Sequence, residues 1–535
     1  MTAPVPVVIV GGGPVGLGLA IELAQRGVRC TVVERHREPQ PIPKGQNLTP
    51  RTLEHFEAWG AEAALRAART VPAGHPSGGL TAYGSLLGPW HYDWLQRAQV
   101  APYYTQRNER LPQYATERVL RTRAAALDGI ELLEGWSADA LQVAADGVAL
   151  DIAPTAGGTG RRLQARYLVG CDGSHSRVRQ QAGIAQRVVE HGRLMVLLVF
   201  RSTELHALLE RYPGKAFFNV LDPALDGYWK FLGRVDLGSE WFFHAPVPEG
   251  TTRDNFDFAA LVRGAVGADF ALDIRHIGFW DLRFALAHDY RAGAVFIAGD
   301  AAHSHPPYGG HGINAGFEDA RNLGWKLAAT LQGWGGPALL DSYGAERQPV
   351  FDATIRDFIA HAIEDDRRFL RAHDPVRDRA DFEQAWSVRA SGAQDEVQRF
   401  APHYEGSPLV GMPPDAAPAR PGAAGGHSHV ARAGHHLSPA RLSGGGTLHA
   451  ALGTGFALLA FDAPAARVAA FIEAARALGL PLALVQDSAA DERARYQARL
   501  VLVRPDGYVA WVEGDTADPR SADALLRQAA GFPSR

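Results

Sequence analysis

Cysteine is nearly absent from this chain: Cys30 and Cys171 are the only two among 535 residues, and no Cys-x-x-Cys pair occurs. That excludes a disulfide framework and a clustered thiolate metal site, and it fits a reducing cytoplasm. An excess of one charge sign is also missing, since 54 Lys and Arg stand against 58 Asp and Glu. No basic face for nucleic acid or for an acidic membrane is implied, and small-molecule partners are expected. No apolar run approaches the roughly 18 to 20 residues that a membrane span requires. The first run, Val5–Val10, is only a strand long, breaks at Gly11-Gly12-Gly13 and has no basic segment before it, so it reads as neither span nor signal peptide. A soluble, cytoplasmic protein is expected.

What is present is length and apolar content. With 46% hydrophobic residues over 535 positions, the chain can bury more than one core, and two or three domains are expected. Val5–Val10, then Gly11-Gly12-Gly13-Pro14-Val15-Gly16, then Leu17, Ile21, Leu23 and Ala24 at helical spacing read as strand, tight turn and helix. This is the start of a Rossmann unit. Gly11 can make the turn, Gly13 lets backbone approach a pyrophosphate, Gly16 permits close helix–strand packing, and the helix N-terminus offers free N–H groups. A second apolar strand, Cys30-Thr31-Val32-Val33, ends at Glu34, whose oxygens can accept from both ribose hydroxyls. An acid there disfavours a 2′-phosphate, leaving FAD or NAD(H) for this fold.

Two further motifs discriminate. Ala294–Ala298 reads as a buried strand ending in Gly299-Asp300-Ala301-Ala302-His303, followed by Pro306-Pro307-Tyr308-Gly309-Gly310-His311-Gly312-Ile313-Asn314 and a helix with Phe317, Ala320, Leu323, Leu327 and Leu331 in phase. Upstream, Tyr167-Leu168-Val169-Gly170-Cys171-Asp172-Gly173 reads as a strand running into an Asp-Gly turn. The pattern GDAAHxxPPxGGxGxN followed by DAxNLxWKL resembles the flavin signature of the group A aromatic hydroxylases, the family of p-hydroxybenzoate hydroxylase and phenol hydroxylase.

Carried over position by position, the resemblance implies that FAD is held by Gly11, Gly13, Pro14, Val15, Gly16, Glu34, Arg35, Arg51, Gln113, Asp172, Gly173, Gly299, Asp300, Pro307, Gly310, Gly312, Ile313 and Asn314. Within that set Asp300 holds the ribityl chain, Asp172 and Gly173 line both the flavin and the nicotinamide path, and Arg51 and Gln113 touch the phosphates and ribityl region. The helix N-terminus near Gly312–Asn314 faces the flavin pyrimidine edge, where a positive helix end stabilises negative charge on reduced flavin. One departure stands out: Gln46 falls about where phenol hydroxylase has an aspartate, so that carboxylate base is not carried over.

The fold class expected is α/β: a Rossmann-like FAD-binding domain (1–183 and 285–360), an inserted mixed β-sheet substrate domain (184–284, with part of 75–110) and a C-terminal thioredoxin-like α/β domain (447–535). A helical extension (361–412) and a linker (413–446) join them. Period-two and aromatic runs at Leu194–Phe200, Ala216–Val220, Tyr228–Val235 and Trp241–Pro246 predict the inserted sheet. Its aromatics, Phe218, Tyr228, Trp229, Phe231, Trp241 and Phe242 among them, divide between plain core and substrate stacking. The linker is rich in Pro, Gly, Ala and Ser, which predicts an extended connection with little core. Its histidines His427, His429, His435 and His436 then read as a surface loop without metal. The last domain resembles the thioredoxin-like domain of phenol hydroxylase and, with no cysteine after Cys171, is expected to serve structure or dimer contact.

The chemistry implied by the resemblance is hydroxylation of a small aromatic. NADPH or NADH, visiting transiently, reduces the flavin, O2 adds to give a C4a-hydroperoxide, and its distal oxygen is transferred to the ring. A phenolic substrate reacts faster as phenolate, which calls for a base or acceptor near its hydroxyl. His303, His305 and Tyr308 are candidates, with Pro307 on the same loop, and none is singled out. Epoxidation or Baeyer–Villiger insertion on a polycyclic or polyketide substrate uses the same scaffold, and a flavin-binding protein without turnover and an NAD-dependent dehydrogenase are the readings from other classes. No metal is expected; a homodimer is.

Overall fold

The computed structural model describes residues 5–72, 75, 78–144, 147–393, 395–413 and 416–533. Its first sheet has the order Arg291–Ala292, Val295–Ile297, Arg161–Gly170, Val5–Val10, Cys30–Glu34, Ile130–Glu134. Five neighbouring strands, from Val295–Ile297 to Ile130–Glu134, run parallel. The central strand is covered on both faces, which is why it reads as continuous apolar sequence, and Val7, Val8 and Ile9 are fully buried. The first motif turns off this strand into the helix Pro14–Gln25, so the strand order reverses between Val5–Val10 and its neighbour Arg161–Gly170. A crevice at the carboxyl ends of strands at such a reversal is where open α/β sheets bind ligands. An antiparallel hairpin, Trp136–Ala144 with Gly147–Pro154, extends the sheet beside Arg161–Gly170.

The inserted sheet is mixed, as expected. Its order is His303–Ser304, Asp273–Ala287, Gln186–Arg201, Glu240–Val247, Trp229–Arg234, Lys215–Leu221, Gly78–Tyr83, His91–Trp94, antiparallel except where Lys215–Leu221 runs parallel to Gly78–Tyr83. All four runs read from the sequence lie within or overlap these strands. Period two splits their aromatics between the faces. Phe218, Trp241 and Phe243 bury into a core with helix Phe258–Val266, whereas Phe217, Trp229, Phe231 and Phe242 join the core shared with the first sheet.

The last sheet has the order Leu482–Asp487, Phe456–Phe461, Leu500–Val503, Val509–Glu513, with one parallel and two antiparallel pairings, and helices Ala465–Ala477 and Ala522–Ala529. This is the thioredoxin-like arrangement without its cysteines. The turn Arg504-Pro505-Asp506-Gly507 docks it on the helix His311–Gln332. Glu346 receives Arg504 at 2.5 and 2.9 Å, Lys326 at 2.7 Å, Asn322 at 2.7 Å and Ser407 at 2.6 Å, while Trp325 Nε1 donates to Asp506 at 3.0 Å. The Lys326, Glu346 and Arg504 side chains are fully buried.

Among its described residues, the 413–446 stretch departs from expectation. It is extended, but it is not without core: Ala423, Ala431, Leu437 and Ala440 are buried, the last three in the core of the final domain. Nor are its histidines a surface loop. His435 is 7% exposed and bonded to Glu405, His436 stacks on Tyr104 at 4.9 Å and meets Glu54 at 2.8 Å, and His427 bonds Tyr104. Glycine and proline lower local propensity, yet a strap lying across two preformed domains needs no secondary structure to be buried.

Candidate functional site

The three glycine-rich motifs converge on one groove of about 710 Å³. Gly11, at φ +107°, makes the turn; a Cβ there would lie 2.3 Å from the Cys171 carbonyl oxygen. A Cβ on Gly16 would fall 1.9 Å from the Gly11 oxygen, so this glycine is required by packing. Gly13 differs: nothing lies within 4 Å of the Cβ it lacks, and the helix it begins has no side-chain cap. Open space beside uncapped N–H groups at a helix end is what a pyrophosphate needs. Glu34 turns its carboxylate into this corner, accepting from Gly12 N and His36 N at 2.7 Å each, with lone pairs left over for a ribose.

Gly11, Gly13, Glu34, Arg35, Gln113, Asp172, Gly173 and Asp300 all line the groove. Asp172 also caps the next turn, accepting from Arg177 N at 2.8 Å and Val178 N at 3.1 Å. Asp300 stands in the groove wall with its side chain exposed to the groove. Pro14, Val15, Gly16 and Gly299 lie behind, in the packing that shapes the turns; Val15 touches the sites where Gly299 and Gly316 lack a Cβ. Gly310 begins the helix His311–Gln332 in the left-handed region at φ +67°, with no side-chain cap, so the first N–H groups of that helix stay open to a ligand. Ile313 packs over Gly45. Asn314 instead ties its amide into the protein: it accepts from Thr49 N and Thr52 Oγ1 and donates to the Asn47 oxygen.

Arg51 is a correction. Its side chain points away from the groove, bonding Glu318 at 2.7 Å and Glu54 at 3.1 Å and lying over Tyr508 at 5.3 Å. The cations that line the groove are Lys44, Arg35 and Arg177. Lys44 was legible as a cation before Gly45, but side-chain direction was not. Also missed is Asp319, the acid of the DAxNLxWKL pattern. Fully buried, it accepts from Gly299 N at 2.9 Å, His303 Nε2 at 2.6 Å and Arg347 Nε at 2.8 Å, and so pins the Gly299-Asp300 turn to the long helix.

The candidate bases fare poorly. His303 is 1% exposed, bonded to Asp319 and stacked on Phe351 at 3.8 Å. Burial pushes His305 down to about 4, and burial pushes the Tyr308 phenol well above its ordinary value, so neither takes a proton near neutrality. Pro307 carries no proton donor or acceptor on its side chain. Tyr308 has a different place: it packs edge-on against Trp229 at 4.8 Å and lies 5.6 Å from Trp94. It thereby joins the Pro306–Gly310 loop to the aromatic face formed by Phe217, Phe231 and Phe242. Arg97 fixes the same loop by donating to the Gly309 oxygen.

Comparison with known proteins places the chain in a family. Residues 4–357 match the family model described as FAD binding domain, and residues 430–533 match that of the aromatic-ring hydroxylase C-terminal region. Over 97% of both chains the protein is 34% identical to a 4-methyl-5-nitrocatechol 5-monooxygenase of a Burkholderia species. It is 38% identical to the rifampicin monooxygenase of Streptomyces venezuelae over 64% of this chain and 68% of that one. Among solved structures, the rebeccamycin biosynthetic enzyme RebC with reduced flavin superposes with TM-score 0.84 at 29% identity, covering 99% of this chain and 100% of that one. Aklavinone-11 hydroxylase with FAD and aklavinone superposes with TM-score 0.82 at 27% identity over the same shares.

Proposed function

Since this chain belongs to the FAD-dependent aromatic-ring hydroxylases, a family of flavoprotein monooxygenases, we propose that it hydroxylates a small aromatic bearing a ring hydroxyl, held between the Pro306–Gly310 loop and the inserted sheet. The observation that carries this reading is the convergence of Gly13, Glu34, Lys44, Gln113, Asp172 and Asp300 on one groove, with the chain running on from Asp300 into the loop where Tyr308 packs against Trp94 and Trp229. Reduced by NADH or NADPH, FAD supplies the activation of O2 for transfer of one oxygen atom to the ring.

The chain's own residues bind, orient and exclude water. Uncapped N–H groups at Gly13 and Lys44 would hold the pyrophosphate, Glu34 the ribose, and Gln113, Asp172 and Asp300 the ribityl region. The uncapped end of the His311–Gln332 helix would favour negative charge on a reduced flavin. Buried Trp94, Phe217, Trp229, Phe231 and Phe242 keep water from the reacting side. In this reading the FAD-binding part is 1–183 with 285–360, the substrate sheet 184–284, and the protein is a cytoplasmic homodimer, where the nicotinamide donor is abundant.

The relatives act on a nitrocatechol, on rifampicin and on polyketides. A one-ring substrate is our reading because the nitrocatechol enzyme is 34% identical over 97% of both chains, whereas RebC and aklavinone-11 hydroxylase, which superpose over 99% of this chain, are 29% and 27% identical. The test is an oxygen electrode and NAD(P)H absorbance over catechols, nitrophenols and polycyclic quinones. One O2 consumed per nicotinamide, with a hydroxylated product, supports the proposal. A flavin-bearing protein that oxidises nicotinamide slowly and regardless of the aromatic added sinks it, and turnover of the polycyclic compounds alone moves the assignment to the polyketide branch. Light scattering checks the dimer.

A further inference from the structure

Arg110 lies in the short strand Glu109–Arg110, paired with Asn47–Leu48 at the junction of groove and inserted sheet. It is 5% exposed, and its guanidinium rests over Phe217 at 5.7 Å and Phe242 at 5.8 Å. Its hydrogen-bond partners are neutral: Nη1 donates to the Arg234 oxygen at 2.8 Å and Nη2 to Gln46 Oε1 at 3.1 Å. The Nε–H has no partner. No described carboxylate pairs with it. The adjacent Glu109 turns away to Arg66 at 3.0 Å and Arg69 at 2.5 Å, and the one charged group acting on Arg110 is another cation, Arg234. Burial, with that neighbour, lowers its pKa to about 9.

A cation in this setting is unfavourable to the folded chain. Taking an ion out of water costs several kcal/mol unless an opposite charge meets it. Arg347 and Arg504, the most deeply buried arginines, are matched, by Asp319 and by Glu346 with Asp506. Arg97, Arg179 and Arg234 are buried on backbone oxygens instead, and what sets Arg110 apart is its unbonded Nε–H beside an aromatic face. The sheet beside Arg110 shows the same deficit in neutral form. Asn219 Oδ1 and His244 Nδ1 have no partner, although the residues are 3% and 7% exposed. They flank Phe231 in register, Asn219 opposite Phe231 and Phe231 opposite His244. By strand alternation they share the face of Phe217 and Phe242.

We propose that Arg110 is the anion-recognising residue of the aromatic pocket: the ring substrate binds as an anion, its phenolate or ring carboxylate oxygen on the free Nε–H edge of Arg110, with Asn219 and His244 bonding other ring substituents. This rests on the monooxygenase reading above. It also accounts for the missing base. The pocket selects the ionised ring from solution, leaving the proton in solvent, and Gln46 orients the guanidinium in place of a carboxylate that would deprotonate the substrate.

The test uses the FAD-loaded protein without turnover and three probes: 4-nitrophenol, 4-nitrobenzoate and the neutral 4-nitroanisole. Calorimetry reads affinity, and the 4-nitrophenolate band reads the ionisation of the bound ligand. The wild type is expected to bind one of the anions at least ten-fold more tightly than the ether. A preference for 4-nitrophenolate, with ionisation at lower pH than in water, identifies a phenolate, and a preference for 4-nitrobenzoate identifies a carboxylate. Arg110→Met loses the preference, Arg110→Lys restores part of it, and the melting temperature of Arg110→Met does not fall, because an unmatched buried charge has been removed. Equal affinity of the wild type for all three probes, persistence of the preference in Arg110→Met, or a fall in melting temperature with equal losses for all three probes overturns the assignment. A protein that holds FAD but consumes no O2 with any aromatic contradicts the parent reading instead; the affinities are measured without turnover and do not depend on it.

Discussion

Gly13 and Gly16 sit in one turn of chain and do opposite things. A Cβ on Gly16 collides with the Gly11 carbonyl, whereas a Cβ on Gly13, whose φ of −75° any residue adopts, projects into open groove. Gly16→Ala is therefore expected to lower stability by at least about 1–3 kcal/mol. Gly13→Ala is expected to change stability by less than about 1 kcal/mol and to weaken FAD binding ten-fold or more. Thermal unfolding of the flavin-free chain and fluorescence on release of FAD separate the two. Equal retention of FAD by both variants would remove the pyrophosphate from this turn. Lys44→Met should weaken FAD in the same assay, with a gap from wild type that narrows as salt is added, because charge attraction across a solvent-lined groove is screened.

Among elements, the pair formed by Pro14–Gln25 and His311–Gln332 carries the site. Glu22 joins them: it accepts from Arg321 at 2.6 Å, from Trp59 Nε1 at 2.7 Å and from Arg26, with 1% of its side chain exposed. Burial alone would raise its pKa. Arg321, then Arg26 and the indole N–H, outweigh burial and bring it from the ordinary 4.5 to about 2. A depressed folded value means stabilisation that is present above pH 4.5 and lost as pH falls toward 2, worth about 3 kcal/mol at neutrality. Glu22→Gln should thus melt well below wild type at pH 7, with a difference that shrinks steadily from pH 4.5 to pH 2.5. A constant difference across that range would show that packing, not charge, is what the substitution removes. Asp319→Asn acts on the same helix and is expected to destabilise by about 3–5 kcal/mol by leaving Arg347 buried and unmatched. FAD retention should fall with it as Gly299 loses its anchor.

For the molecule as a whole, the last domain is bound to the flavin domain by a dry ionic knot. Lys326, Glu346 and Arg504 have no exposed side-chain surface, and Lys326 is lowered to about 8 by burial despite Glu346 beside it. Removing one member should be worse than removing a matched pair. Glu346→Leu alone leaves Lys326 unmatched and Arg504 on Asp506 only, and is expected to cost about 3–5 kcal/mol, whereas the double replacement of Lys326 by Met and Glu346 by Leu, which keeps the Arg504–Asp506 pair, should lie within about 2 kcal/mol of wild type. Denaturant unfolding of the single and double variants decides this. A double variant less stable than the single one would mean that the Lys326–Glu346 pair contributes net attraction.

The sequence by itself determined the strands, the order of the motifs and the glycine-rich turns, because each depends on local geometry: apolar alternation, positive φ and a helix start. From these the Rossmann unit, the mixed sheet, the cysteine-free last domain and eight of the groove residues could be read. Only the tertiary structure decided where long side chains end. Arg51 was read into the groove and turns to Glu318, Lys44 takes the place in the groove, and the glycine-rich strap with its histidines is covered rather than free. Arg110 carries no local signal at all. Its interest comes from the water and the counter-charge it lacks, and solvation is a property of everything that packs around a residue, which no stretch of neighbouring sequence encodes.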